Sequence, residues 1–282
     1  MIGSFRAEWL KMRKRPAVWV LFSVLLVALV LLGYVLSWFI FTHPPQGFAQ
    51  GLPAGTKPSD FKVVLYPQHV IQNALSGGAQ IGGAICLILG VLMAGSEFGW
   101  GTYKTVFTQR PSRLVTWVAK IVVLGVLMLI LTLLFFLVAA ASAAFFGAID
   151  GVQSSWPSLT DFAKAAGAAW LIFAMWASMG LFLAVIFKQS ALAVGLGLVY
   201  LLIIEGIISA VVGSSKSLNF IIKPLPGPNA NALVQSFGQA RFGRPANPEP
   251  LVSAGQASIV LAVYCVVFLV VAGFLLQRRD VT

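Results

Sequence analysis

The sequence predicts an all-α membrane protein with six spanning helices, an interfacial helix at the N-terminus and a short external re-entrant helix before the last span. Three observations carry this. Of 282 residues, 59% are hydrophobic and 10% are charged, where a soluble domain carries about 25% charged residues and about 45–50% apolar ones. The mean hydropathy is +0.92. The apolar residues gather into six runs, each long enough for the about 20 residues of a helical bilayer crossing.

The first element is the amphipathic stretch Met1–Arg15. Ile2, Phe5, Trp9 and Met12 recur at helical spacing and share one face. Arg6, Lys11, Arg13 and Lys14 cover the other sides, and Glu8, Trp9 and Lys11 form its centre. Aromatic residues opposite basic ones suit a helix lying in the membrane interface. The six spans follow as Ala17–Phe41, Val70–Ala94, Val115–Ile149, Ala165–Phe187, Gln189–Gly213 and Ala257–Leu276. Together they form one transmembrane domain over residues 1–282. The first run is about 25 residues long, against about 7–15 for a signal-peptide core, so Gly47-Phe-Ala49 is read as loop and not as a cleavage site. The third run is over-long, and Lys120 near its start points to a cytoplasmic extension. Only Lys188-Gln-Ser190 separates the fourth and fifth runs, which predicts a tight helical hairpin.

Two loops are long. Thr42–His69 holds five prolines and several glycines and reads as irregular. Ser214–Gln256 is also proline-rich, but Asn229–Phe237 within it can form a short helix, with Pro224 to Pro228 marking its start. Such a helix can dip back toward the outer leaflet where protein buries it.

Charge sets the orientation. With the N-terminus cytoplasmic, the inside holds Arg6, Lys11, Arg13, Lys14, Arg15, Lys104, Arg110, Arg113, Lys120, Lys188, Arg278 and Arg279. The outside holds Lys57, Lys62, Lys164, Lys216, Lys223, Arg241 and Arg244, in loops too long to weigh much in the positive-inside rule. Both termini are therefore expected in the cytoplasm. The net charge of +11 does not mark a nucleic-acid binder, because the basic residues flank apolar runs and form no basic face of a soluble domain. They read as topology signals and contacts to anionic membrane lipids.

Several chemistries have no motif here. There is no GxxxxGK[ST] phosphate loop, HExxH, CxxC or GxSxG. His43 and His69 stand alone among loop residues, and Cys86 and Cys265 fall inside apolar runs as small core residues. No catalytic residue, metal ligand or cofactor is assigned to this chain.

Polar residues within the spans are few. Glu205 is the acidic residue deep in an apolar run, where a charge costs about 2.5–3.5 kcal/mol on insertion scales. It reads either as a cavity or relay group or, preferably, as an interhelical hydrogen-bond anchor. Gln72, Ser76 and Gln80 fall four apart and make one stripe on the second span, fit to line a path or a subunit seam. Gly78 and Gly82 have the spacing that lets helices approach closely.

Between the second and third spans lies Gly95–Arg113, a short basic segment with helix-forming residues. Glu97-Phe98-Gly99-Trp-Gly101-Thr102, followed by Tyr103, Lys104 and then Thr108-Gln-Arg110-Pro111-Ser-Arg113 and Lys120, resembles the permease subunit of a type-2 ATP-binding-cassette (ABC) exporter. There an acidic residue precedes Gly-Thr, and a Pro-x-Arg and a Lys enter the third span. Glu8-Trp-Leu-Lys11, Leu225-Pro226 with Asn229–Leu233, and the ending Arg278-Arg-Asp-Val281 are also similar to that family.

The resemblance implies that the chain is not itself an enzyme. It implies partnership with ABC ATPase subunits, which carry ATP and Mg, and with a second permease copy or paralogue, in the cytoplasmic membrane of a prokaryote. Residues 95–114 would be the coupling segment, with Gly99 and Gly101 letting the chain turn, Pro111 stopping the helix, and Glu97 and Arg113 holding its ends by ion pairs. The alternatives are a stand-alone secondary transporter, which would want inverted repeats and more intramembrane charges, a non-transporting scaffold, and, for the segment itself, a basic anchor with no partner.

Overall fold

The computed structural model describes residues 2–46, 48, 57–99, 112–152, 155–212, 219–238 and 252–278. Among them there is no strand, and six helices are long and apolar enough to cross a membrane. The chain is an all-α multi-pass membrane protein. Helix α1 is Ile2–Lys14. The six spans are α2 (Pro16–Thr42), α3 (Val70–Gly99), α4 (Arg113–Ile149), α5 (Leu159–Phe187), α6 (starting at Ser190) and α8 (Ala254–Arg278). A short helix, α7 (Pro226–Gln235), precedes the last span.

The ends of these helices follow local chemistry. Pro16 opens α2 at a position where its missing N–H costs nothing, and it holds Arg15 extended, so the chain turns sharply between α1 and α2. α5 begins at Leu159, six residues ahead of the expected Ala165, because the Ser158 hydroxyl caps it by accepting the Asp161 N–H at 3.1 Å. Lys188 closes α5 in the left-handed conformation (φ 52°), and α6 starts two residues later as the expected hairpin. α7 starts at Pro226, just ahead of the expected Asn229–Phe237.

Two spans are not pure α-helix. Leu29–Val35 in α2 and Tyr200–Ile204 in α6 take π-helical turns, closed by the Leu36 N–H on the Leu31 carbonyl and the Glu205 N–H on the Tyr200 carbonyl. A π-turn widens the helix and leaves a carbonyl for another partner. In α2 that partner is Asn73 of α3, whose amide donates to the Gly33 carbonyl at 3.3 Å.

α3 and α5 form the centre of the bundle. Gly90 lies against the Ala177 backbone carbonyl and Gly180 against that of Leu87, so a Cβ at either would collide with the opposite main chain. This crossing, and not Gly78 and Gly82, is where the helices approach most closely. Gly78 and Gly82 instead make room for the rings of Phe135 and Phe173. α2, α6 and α8 carry exposed apolar residues such as Leu31, Leu202, Val266 and Val270, as lipid-facing helices do.

Candidate functional site

Four charged residues are buried among the described residues: Glu8, Glu97, Lys120 and Glu205. Three of them meet in one cluster. The Lys120 ammonium donates to Glu8 Oε2 at 3.0 Å, to Glu97 Oε1 at 2.8 Å and to the Met93 carbonyl at 3.3 Å. Those acceptors use all three of its N–H donors. Lys11 completes the cluster, donating to Glu8 Oε1 at 2.7 Å and Glu97 Oε1 at 3.1 Å. Two carboxylates and two ammonium groups thus alternate, and the charges cancel. Lys120 is 1% exposed, whereas the Lys11 side chain is 31% exposed, so one side of the cluster faces the surface. Lys11 is pulled both ways: burial disfavours its charge, but Glu97 and Glu8 outweigh burial and hold its pKa above the usual 10.5.

Three elements build this cluster. Glu8 and Lys11 are three residues apart on α1 and share a side. Glu97 lies in the last turns of α3 and Lys120 two turns into α4. Two further bonds fix α1 nearby: Arg15, between α1 and α2, donates to the Leu92 carbonyl of α3 at 2.7 Å, and the Trp19 indole of α2 donates to the Arg13 carbonyl of α1 at 2.8 Å. That second bond satisfies a carbonyl left open at the end of α1.

The geometry revises two expectations. The second span does not end at Ala94, because α3 runs on to Gly99, so Glu97 and Phe98 belong to that helix and Glu97 points into the protein cluster. The apolar face of α1 does not lie free for lipid: Met12 is fully buried, and Phe5 and Trp9 pack against the core. Lys11, expected among the outward charges, is half-buried beside Glu8. The outward face of α1 carries Arg6, Leu10, Arg13 and Lys14.

Gly101, Thr102, Tyr103, Lys104, Arg110 and Pro111 lie outside the described residues, as does the Arg113 side chain. What the structure gives is the frame around them: both flanks of the segment are locked to each other and to α1 through Glu97 and Lys120. In the sequence Lys120 is a sign of helix extension, an inside charge and part of the permease-like motif, with no partner assigned to it. The missed signal was a pair of opposite lone charges on either side of one loop, a pattern that fits two antiparallel helices meeting there.

Glu205 is elsewhere. Its carboxylate accepts the Gly227 N–H at 3.1 Å, at the first turn of α7, and the Tyr200 hydroxyl lies within hydrogen-bonding reach. A carboxylate at a helix N-terminus meets unpaired N–H groups and the positive end of the helix dipole. This fits the anchor reading, with a helix end as the partner in place of another side chain. A Cβ on Gly227 would overlap the carboxylate, so a larger residue there would push Glu205 out of this capping position.

The stripe on α3 is one face, as expected: Ser76 and Gln80 are exposed and Gln72 is half-buried against Gly238. Gln80 and Glu97 are separated by about 26 Å along α3 at 1.5 Å per residue. The Glu205 region and the charge cluster are therefore two distinct places in the bundle.

No curated protein matches the chain. A family model described as a protein of unknown function (DUF2705) matches residues 47–282, a span that takes in Glu97, Lys120, Glu205 and Gly227 and leaves out Glu8 and Lys11. The chain belongs to that family.

Proposed function

We propose that this chain is the membrane-spanning permease subunit of an ABC exporter. It moves an amphipathic or lipid-like substrate across the cytoplasmic membrane and is powered by a separate ATPase subunit. The observation that carries this reading is the buried cluster of Glu8, Lys11, Glu97 and Lys120. It ties α1 to the ends of α3 and α4 from which residues 100–111 extend. A segment anchored in this way transmits force: a push on it by a closing ATPase pair moves α3, α4 and α1 as one body. A mere basic anchor has no need of a saturated, buried four-charge cluster beneath it. The near absence of charge along the other spans suits cargo with a large apolar part. The chain works as a dimer with a second copy or a paralogue, with both termini in the cytoplasm.

The test is purification of the tagged chain in mild detergent from its host, with identification of what accompanies it. A stoichiometric soluble ATPase, lost on deleting residues 98–110, is the expected result. In the reconstituted complex, Glu97→Gln leaves the ATPase bound but lowers cargo-stimulated hydrolysis at least fivefold. A clean homo-oligomer without ATPase would overturn the reading.

A further inference from the structure

The region around Glu205 contains a cavity of about 220 Å³ between α3, α5, α6 and α7. Gln80, Trp176, Leu201, Leu202, Glu205 and Asn231 line it. Its one charged side chain is acidic. Glu205 offers a carboxylate, Gln80 and Asn231 offer amide oxygens, and no Lys, Arg or His is among the lining residues. Gln80 and Asn231 are exposed, and neither side chain has a hydrogen bond to the described residues. The Trp176 indole adds an aromatic wall of the kind that organic cations favour.

Depth makes this arrangement informative. Gln80 lies ten residues inside α3, about 15 Å from its start, and Glu205 about 22 Å from the start of α6. A carboxamide without a protein partner at that depth is costly unless water or a ligand meets it. The volume sets what fits. It is below the roughly 300–1,000 Å³ of pockets that enclose a drug-sized molecule. The cavity holds a head group and not a whole amphiphile. Beside it, Leu202, Ile203 and Ile207 present an exposed apolar face of α6 on which a hydrocarbon tail can lie.

We propose that this cavity seats the ammonium or guanidinium head of a cationic amphiphile, with Glu205 as its counter-charge and its tail along α6. Glu205 then has two roles, capping α7 and accepting the Tyr200 hydroxyl on the one hand and lining the ligand's cavity on the other. As recognition of cargo this rests on the permease reading, although binding itself does not require an ATPase.

The experiment uses the full chain in nanodiscs of zwitterionic lipid and radiolabelled octyltrimethylammonium as probe, with octyl glucoside as the neutral control. Equilibrium dialysis against empty nanodiscs removes simple partitioning. Saturable binding of the ammonium probe, weakened at least tenfold in Glu205→Gln, is the expected result. Gln80→Leu, which leaves the cap on α7 intact, weakens it roughly three- to tenfold and guards against a folding artefact. Equal saturable uptake of the neutral probe, uptake that never saturates, or unchanged affinity in both variants would overturn the proposal. If an ATPase still co-purifies in that case, only the cation site fails; if the probe binds and no ATPase is found, only the pump reading fails.

Discussion

Lys120→Met is the sharpest perturbation of the charge cluster, because Lys120 is the member with the least solvent to fall back on. Its side chain is 1% exposed and bridges Glu8 at 3.0 Å and Glu97 at 2.8 Å. Methionine keeps most of the volume and removes the charge. Two buried carboxylates then share one ammonium, Lys11, whose side chain is 31% exposed. Breaking a buried pair by removing one partner costs about 3–5 kcal/mol, since it strands a charge out of water. Lys11 still neutralises half of what remains, so the low end, about 3 kcal/mol, is expected. At about 2–4 °C per kcal/mol, the melting temperature falls by about 6–12 °C.

Cys86 supplies the assay. It is a free, buried thiol, and with the half-buried Cys265 replaced by Ser, a thiol-reactive fluorophore added to the detergent-solubilised protein reports its exposure on unfolding. The control is the double variant Glu97→Gln with Lys120→Met. It leaves a neutral Glu8–Lys11 pair at 2.7 Å and is expected to recover at least half of the loss, the non-additivity that marks direct coupling. A Lys120→Met protein melting within 2 °C of the parent, or strict additivity in the double variant, would refute the reasoning.

Three further outcomes follow from the same geometry. Gly180→Ala and Gly90→Ala each place a methyl against the main chain of the other central helix, so each lowers stability by about 1–3 kcal/mol, read in the same melt; Gly125→Ala, with open space at its Cβ, leaves it unchanged. Gly227→Ala drives a methyl into the Glu205 carboxylate and costs at least about 1 kcal/mol through loss of the cap on α7, visible as faster amide exchange across Pro226–Gln235. Alkali weakens the fold at both ends. The Lys11 ammonium stabilises while protonated, in full below pH 10.5, and that contribution is lost as pH rises past its elevated pKa. Burial and the Asp150 acceptor, 3.1 Å away, push the Tyr66 phenol from 10.0 up to about 12, so its stabilisation fades between those values. Tryptophan-fluorescence melts are expected to fall from pH 10 to about 12, and less steeply in Tyr66→Phe.

Hydrophobic run length made the six spans legible, because an unpaired backbone in lipid leaves a long apolar run no alternative to a helix. The three-residue gap Lys188–Ser190 between two apolar runs made the α5–α6 hairpin legible, and the prolines at 224–228 made the short helix at Pro226 legible, since Pro acts through its own backbone. Individual charges were also visible: Lys120 and Glu205 stand in apolar runs, and Glu8, Lys11 and Glu97 belong to short motifs beside them. Their partners were not. Helical periodicity places Phe5, Trp9 and Met12 on one face of α1, but it cannot say whether lipid or α4 receives that face, because both are apolar.

What the sequence by itself determined is therefore the fold class, the number of spans and the list of residues too costly to bury alone. Only the tertiary structure decided how that cost is met. Glu8, Lys11, Glu97 and Lys120 come from three helices separated by up to 112 positions in the chain, and Glu205 is matched by a backbone N–H, which no side-chain pattern encodes. The π-turns that place Asn73 on Gly33 and Glu205 beside Tyr200 belong to the same group. They are settled by packing between helices, and propensity within one helix carries no record of it.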